Sequence, residues 1–155
     1  MRKEELPSHY FVVKSPFAQL LLTGVKAEEY RSMPRQFANK RLAVAVARSR
    51  CTDDDFEAEA SAWREWWDKP QEGETRKAHK ELMDDIDEDI AAARELFHET
   101  NGCGLIIGEI ETEDEFSFPG CSGVGVKSWK LWERSEWIPS PGGLGVRKMP
   151  SVSKK

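Results

Sequence analysis

The hydrophobic pattern of this chain changes from strand-like to helical at about residue 53 and back to strand-like at about residue 103, which limits the folds that the chain can adopt. Short apolar runs rich in β-branched and aromatic residues at 9–15, 41–47 and 103–111 are typical of strands. Between them, residues 53–99 place apolar side chains at helical spacing and carry 17 acidic and six basic side chains, a net charge of −11. The rest of the chain carries 11 acidic and 17 basic side chains, a net charge of +6. This order predicts an α+β fold with an acidic helical insertion.

Length and composition predict a single soluble domain. The chain has 155 residues, enough for one hydrophobic core, so we assign residues 1–155 to one domain. Within it we expect a helical insertion at about 53–100 and a flexible tail at about 149–155. The charged start at 1–5 leads into no apolar run, and no stretch approaches the ~18 apolar residues of a membrane span. We expect a cytoplasmic protein with no membrane partner; its oligomeric state is left open.

The residue types that bind metals are scattered. Cys51, Cys103 and Cys121 are odd in number and far apart, which favours free thiols in a reducing compartment. His79 and His98 are about five helical turns apart, too far to share a metal ion. The sequence also has neither a P-loop nor a dinucleotide-binding glycine fingerprint, so we expect no metal site and no cofactor.

Two helices are predicted within the insertion, over 53–68 with Thr52 or Asp53 as cap, and over 79–98. Their apolar rows are Phe56, Ala60, Trp63 and Trp67 in the first helix and Leu82, Ile86, Ile90, Ala93 and Phe97 in the second. Acidic side chains cover the outer face of the second helix. This face is either a solvated surface, a barrier that restricts access to a binding site, a mimic of nucleic acid, or a docking surface for a basic protein partner.

Turn signals divide the remaining chain. Ser15 as N-cap, Pro16 at the first helical position and Gly24 past the end predict a two-turn helix. Pro119-Gly120, together with Gly123 and Gly125, predicts a loop, and a strand-like stretch follows at 126–137. Residues 144–148 form a predicted last strand.

Three charged side chains follow the short helix: Lys26, Glu29 and Arg31. In a strand, Glu29 and Arg31 point to the same face, where they either pair with each other or meet a ligand. Arginine suits phosphate or a base edge, lysine suits phosphate, and a carboxylate accepts from an exocyclic amine. With Ser15 and Tyr30 they predict a site for a polar heterocycle carrying a phosphate. The alternative is an ordinary surface Glu–Arg pair beside a solvated lysine.

Two further features have both a functional and a structural interpretation. Glu109 lies in a predicted apolar strand. If its side chain faces inward it needs a partner, and Lys26 or Arg31 would form an acid–base pair with it. If its side chain faces outward, it is an ordinary exposed carboxylate. Trp129 and Trp132 lie among basic residues, as in a stacking platform for single-stranded nucleic acid, or else they pack in the core.

Residues 16–31 resemble the ASCH family, whose recurring pattern is a proline-led helix ending in GxKxxExR. The resemblance spans residues 9–50 and 102–148. It includes, beyond the motif, the strand at 41–47, the Ile-Gly-Glu centre of the strand at 104–111, and the closing Trp129…Trp137-Ile138-Pro139…Gly142-Gly143-Leu144-Gly145 segment.

The resemblance implies a PUA-like small β-barrel with a short helix at its cleft, and binding of RNA or a modified nucleotide there. It leaves open whether RNA or DNA is preferred. Some related members resemble metal-independent ribonucleases or amidohydrolases of acylated cytidine, in which case Lys26 with Glu29 or Glu109 would be catalytic. The amidohydrolase-like members have threonine where this chain has Glu29, which counts against that activity.

Overall fold

The computed structural model describes residues 5–150. Its helices are α1 (Phe17–Leu21), α2 (Asp53–Trp67) and α3 (Arg76–Thr100), with 3-10 turns at Pro34–Phe37 and Arg134–Glu136. Its strands are β1 (His9–Val13), β2 (Glu28–Tyr30), β3 (Arg41–Val46), β4 (Leu105–Phe118), β5 (Cys121–Leu131), β6 (Ile138–Pro139) and β7 (Arg147–Lys148). The predicted mixture of strands around a helical insertion is confirmed.

The strands form one curled sheet that closes about half of a barrel. Six of them lie in the order β2-β5-β4-β3-β1-β7, and β6 pairs with the beginning of β4. β1 and β3 run parallel, and the other neighbouring pairs are antiparallel. The run at 41–47 is central, as predicted, because β3 lies between β1 and β4 and is buried on both faces.

The predicted loop at Gly123 and Gly125 is wrong. Both glycines lie within β5, and only Pro119-Gly120 forms the turn of the long β4–β5 hairpin. Gly123 is needed because β2 pairs with β5 at very close range here: a Cβ on Gly123 would lie 2.2 Å from the carbonyl oxygen of Glu29. The glycine thus allows a close strand contact, a role that its sequence position does not distinguish from a turn.

The predicted cap of α1 is also wrong. The helix begins at Phe17 with Pro16 at the N-cap, and no side chain caps it. The Ser15 hydroxyl instead accepts a hydrogen bond of 3.1 Å from Gln19, whose amide also donates to Thr100 at 2.9 Å. Gln19 of α1, which also binds the end of α3, therefore takes the hydroxyl that local sequence assigns to capping.

The insertion packs as a second layer on α1. Thr52 caps α2 with a capping box closed by Asp55, and α3 extends the predicted 79–98 at both ends. Leu20 and Val25 join a cluster with the apolar rows of both helices, while other side chains of α1 pack against the sheet. The short helix therefore lies between the sheet core and the insertion.

The chain ends are described only in part. Met149 donates its backbone N–H to the carbonyl of Ser8 at 2.9 Å, whereas residues 151–155 of the predicted flexible tail lie outside the described residues. Within residues 5–150, no helix is both long and apolar enough to cross a bilayer. The same residues contain no cluster of three or more histidine, cysteine or acidic side chains that could hold a metal ion.

Replacing Gly123 by alanine is expected to lower the free energy of unfolding by about 1–3 kcal/mol, because the new methyl group overlaps the backbone of β2. Chemical denaturation measures this loss. Gly125→Ala is the matched control in the same strand, since its Cβ would meet only the mobile carboxylate end of Glu113 at 2.7 Å. Equal losses from the two substitutions would contradict the close contact between β2 and β5.

Candidate functional site

A cleft with a volume of about 400 Å³ opens beside the start of α1. It is lined by parts of β1 and β2, the start of α1, and the glycine-rich loop before β7. The lining residues are Val12, Val13, Lys14, Phe17, Lys26, Glu29, Tyr30, Arg31, Ala47, Gly143, Leu144 and Gly145. A volume of this size lies within the ~300–1,000 Å³ range of small-molecule sites.

Glu29 lies at the centre of the charged groups in the cleft wall. One carboxylate oxygen accepts from Lys26 at 3.0 Å, and the other accepts from Arg31 Nε at 2.7 Å. The side chains of Lys26 and Glu29 are 4% and 7% exposed. The sequence alternative of a surface pair with a solvated lysine is therefore not what the structure shows: the three groups form one nearly buried ion triad.

The Lys26 ammonium group has an aromatic cover. Its Nζ lies 5.0 Å from the ring centroid of Tyr30 and 5.6 Å from that of Trp63, and it also donates to the carbonyl of Glu28. Burial lowers the pKa of Lys26 below its ordinary value, and the charge and hydrogen bond of Glu29 offset only part of that effect. Lys26 is thus a largely desolvated lysine in the wall of the cleft.

Arg31 is fixed in orientation but remains partly open. Its Nη2 donates to the carbonyl of Val12 at 3.2 Å, and its guanidinium carbon lies 5.1 Å and 5.0 Å from the rings of Phe11 and Phe37. The side chain keeps 26% of its surface exposed. Contacts on several sides leave a preorganised cation at the cleft wall, which is suited to an anionic ligand.

The cleft has an excess of positive charge. Among its described lining residues, Lys14, Lys26 and Arg31 are cationic and Glu29 is anionic, so the formal charge is +2. Glu29 is already bound by two of these cations. A cleft with this charge balance attracts anions such as phosphate groups.

Four of the predicted site residues come together in the cleft, namely Lys26, Glu29, Tyr30 and Arg31. The structure does not bring the other four to it. Ser15 is buried beside Gln19, and Trp132 is only 2% exposed and packs in the core. Trp129 is 47% exposed but lies over Gly24 and lines a separate groove.

Glu109 is the fourth residue outside the cleft, and its partner is not Lys26 or Arg31. Arg41 donates two hydrogen bonds to it, one of 3.1 Å from Nη2, and the indole of Trp132 donates another of 2.9 Å. Burial by itself raises the pKa of Glu109, but the bonds from Arg41 and Trp132 and the charge of Arg41 together lower it. Glu109 therefore belongs to an ion pair of its own.

Several cleft residues were missed by reasoning from the sequence. Lys14 directly follows β1, and Leu144, which is 93% exposed, lies at the rim, yet each is an ordinary residue in its local segment. Phe116 and Trp63 flank Tyr30, with ring centroids 6.3 Å away in both cases. The period-two spacing of Phe116 and Phe118 was a usable signal, because alternate residues of a strand share a face.

Comparison with known protein families gave no matching family model, and a search among curated proteins gave no match. The case for a function therefore depends on the cleft itself and on the resemblance of its motif.

We expect Glu29→Gln to lower the free energy of unfolding by about 3–5 kcal/mol, because it leaves the buried ammonium group of Lys26 next to Arg31 without a counter-charge. Chemical denaturation at neutral pH measures the loss. The control is Glu115→Gln, which removes an exposed carboxylate paired with Arg35 at 3.4 Å and should change stability by less than about 1 kcal/mol. A loss at Glu29 no larger than that of the control would show that the triad is not a buried structural unit.

Proposed function

We propose that this protein is a nucleic-acid-binding module of the ASCH type with a PUA-like fold, and that its cleft binds RNA or a modified nucleotide. The observation that carries the proposal is the net positive cleft in which Arg31 is held by Glu29, Val12 and two phenylalanine rings. The half-barrel sheet and the GxKxxExR motif at the cleft wall support the family assignment.

Each lining group has a role in this proposal. Arg31 and Lys14 contact phosphate oxygens, since both are cationic side chains of the lining and Arg31 is already oriented. Tyr30, which is 45% exposed, offers a ring face to a base. Lys26 is nearly buried, so its role is to hold Glu29 and Tyr30 in place rather than to reach far into the ligand.

The proposal predicts weaker binding when the open cations of the cleft are removed. Lys14→Ala should reduce affinity for a single-stranded RNA oligonucleotide and lower the salt dependence of binding by about one phosphate contact, because one lysine–phosphate interaction is lost. Fluorescence anisotropy at several salt concentrations measures both quantities. Arg31→Lys should weaken binding further, since it keeps the charge but loses the oriented guanidinium.

Lys127→Ala is the matched control, because Lys127 is an exposed lysine of β5 outside the cleft lining. It is expected to alter affinity less than Lys14→Ala does. If Lys14→Ala and Arg31→Lys bind RNA as tightly as the unchanged protein, or if Lys127→Ala is equally impaired, the cleft is not the binding site.

The lowered pKa of Lys26 favours hydrolysis as a second candidate function. A desolvated lysine in a cleft is a common form of general base, because its neutral amine is available nearer to neutral pH. Here it would take a proton from the water molecule that attacks an acylated nucleoside or an RNA phosphodiester. Glu29 would remain the partner, whereas Glu109 is engaged by Arg41 and Trp132.

This second candidate predicts a rate that rises with pH until Lys26 has lost its proton, because only the neutral amine accepts a proton. In Glu29→Gln the rise should occur at lower pH, since the carboxylate that favours the charged lysine is gone. The measurement is product release from an N-acylated cytidine and from RNA, with and without a chelator. No turnover by the purified protein would eliminate this function and leave the binding module unaffected.

A further inference from the structure

A second cavity lies next to the cleft and shares two residues with it. Its volume is about 540 Å³, and its lining consists of Tyr30, Arg31, Ser32, Ser117, Phe118, Gly120, Cys121 and Ser122. Tyr30 and Arg31 line both cavities, so they form the wall between them. A ligand that occupies both cavities must therefore contact Tyr30 and Arg31.

Aromatic rings continue from the cleft into the second cavity. Trp63 stacks on Tyr30 at 6.3 Å with an interplanar angle of 15°, and Tyr30 meets Phe116 edge-on at 6.3 Å. Phe116 then stacks on Phe118 at 6.0 Å. Phe118 is 65% exposed at the turn of the hairpin, so its ring is available to a planar group entering the second cavity.

The polar groups of the second cavity suit a nucleotide better than an apolar ligand. Among the described residues that line it, Arg31 is the one that carries a full charge at neutral pH, and three serines supply hydroxyl groups. The Ser122 hydroxyl of β5 donates to the carbonyl of Arg31 at 2.7 Å, which holds the end of β2 against β5 at the shared wall. A ring, a shared cation and nearby hydroxyls are the elements with which proteins hold single-stranded nucleic acid.

We propose that the second cavity binds the nucleotide adjacent to the one in the cleft, so that the ligand is a single-stranded oligonucleotide of at least two units. This inference rests on the proposed nucleotide binding in the cleft. The base of the second nucleotide stacks on Phe118, and the phosphate that joins the two units meets Arg31 at the shared wall. Tyr30 separates the two bases.

The first test compares ligands of increasing length. The probes are UMP, the dinucleotide UpU and the trinucleotide UpUpU. The corresponding adenine series tests the preference for the base, and the corresponding deoxythymidine series tests RNA against DNA. The dinucleotide should bind at least about fivefold more tightly than the mononucleotide, because stacking of one base on an aromatic ring is worth a factor of roughly 5 to 150 in affinity.

Phe118→Ala should remove most of this gain while leaving mononucleotide affinity unchanged. Leu131→Ala is the control, because Leu131 is another exposed apolar side chain of the same hairpin, 41% exposed, and it does not line either cavity. Phe118 lies at the exposed hairpin turn, so its removal should not prevent folding, and the unchanged mononucleotide affinity checks this directly.

The cysteines provide an independent readout. Cys121 is exposed and lines the second cavity, whereas Cys51 and Cys103 are half-buried elsewhere. Saturating dinucleotide should slow alkylation of Cys121 by iodoacetamide several-fold, and saturating mononucleotide should not. Mass spectrometry follows all three thiols, so the other two report any general change in the protein.

The outcomes separate the two proposals. Mononucleotide binding that Lys14→Ala weakens, with no gain for dinucleotides and no protection of Cys121, overturns the second subsite and leaves the proposed function standing. A dinucleotide gain that Phe118→Ala retains, without protection of Cys121, places the second nucleotide elsewhere and also overturns the subsite. Absence of binding by every member of the three series overturns both proposals.

Discussion

The ion triad of Lys26, Glu29 and Arg31 is the constraint on which the cleft depends. A nearly buried carboxylate needs compensation for lost hydration, and here each of its oxygens has a cation at 3.0 Å or less. That requirement fixes the path of β2, which pairs with β5 and approaches its backbone closely at Gly123. The same triad orients Arg31, so the interaction that holds β2 in place also prepares the cleft for an anion.

The acidic insertion contributes to this site through its apolar side. Trp63 of α2 covers both Lys26 and Tyr30, and Trp67 donates its indole N–H to the carbonyl of Val25 at 2.7 Å. Part of the acidic surface is neutralised within the insertion, since Arg64 pairs with Asp87 and Arg94 pairs with Glu57. The insertion therefore helps to bury the lysine, which is the physical cause of its lowered pKa.

Binding and hydrolysis make different demands on the same residues. Binding needs an oriented cation that keeps its charge, which Arg31 provides because a guanidinium does not lose its proton in proteins. Hydrolysis needs a group that gives up its proton more readily than an ordinary lysine, and Lys26, whose pKa burial lowers, is such a group in the cleft. The sharing of Arg31 between two adjacent cavities favours an extended anionic ligand, with Arg31 at the phosphate between two units.

The sequence by itself determined the elements and the local motif. Periodicity identified the main strands and both long helices. The spacing of Lys26, Glu29 and Arg31 identified three of the four charged groups that line the cleft, because residues close together in the chain stay close in the fold, whereas nothing in its local sequence marked Lys14. Tertiary structure decided the rest: that Ser15 binds Gln19 instead of capping α1, that Glu109 pairs with Arg41, and that Trp132 packs in the core. Those outcomes depend on which groups are buried and therefore need a partner. Arg41 and Trp132 lie 68 and 23 residues away from Glu109, so no local pattern encodes their hydrogen bonds. Gln19 is only four residues from Ser15, but it also binds Thr100, 81 residues further along the chain.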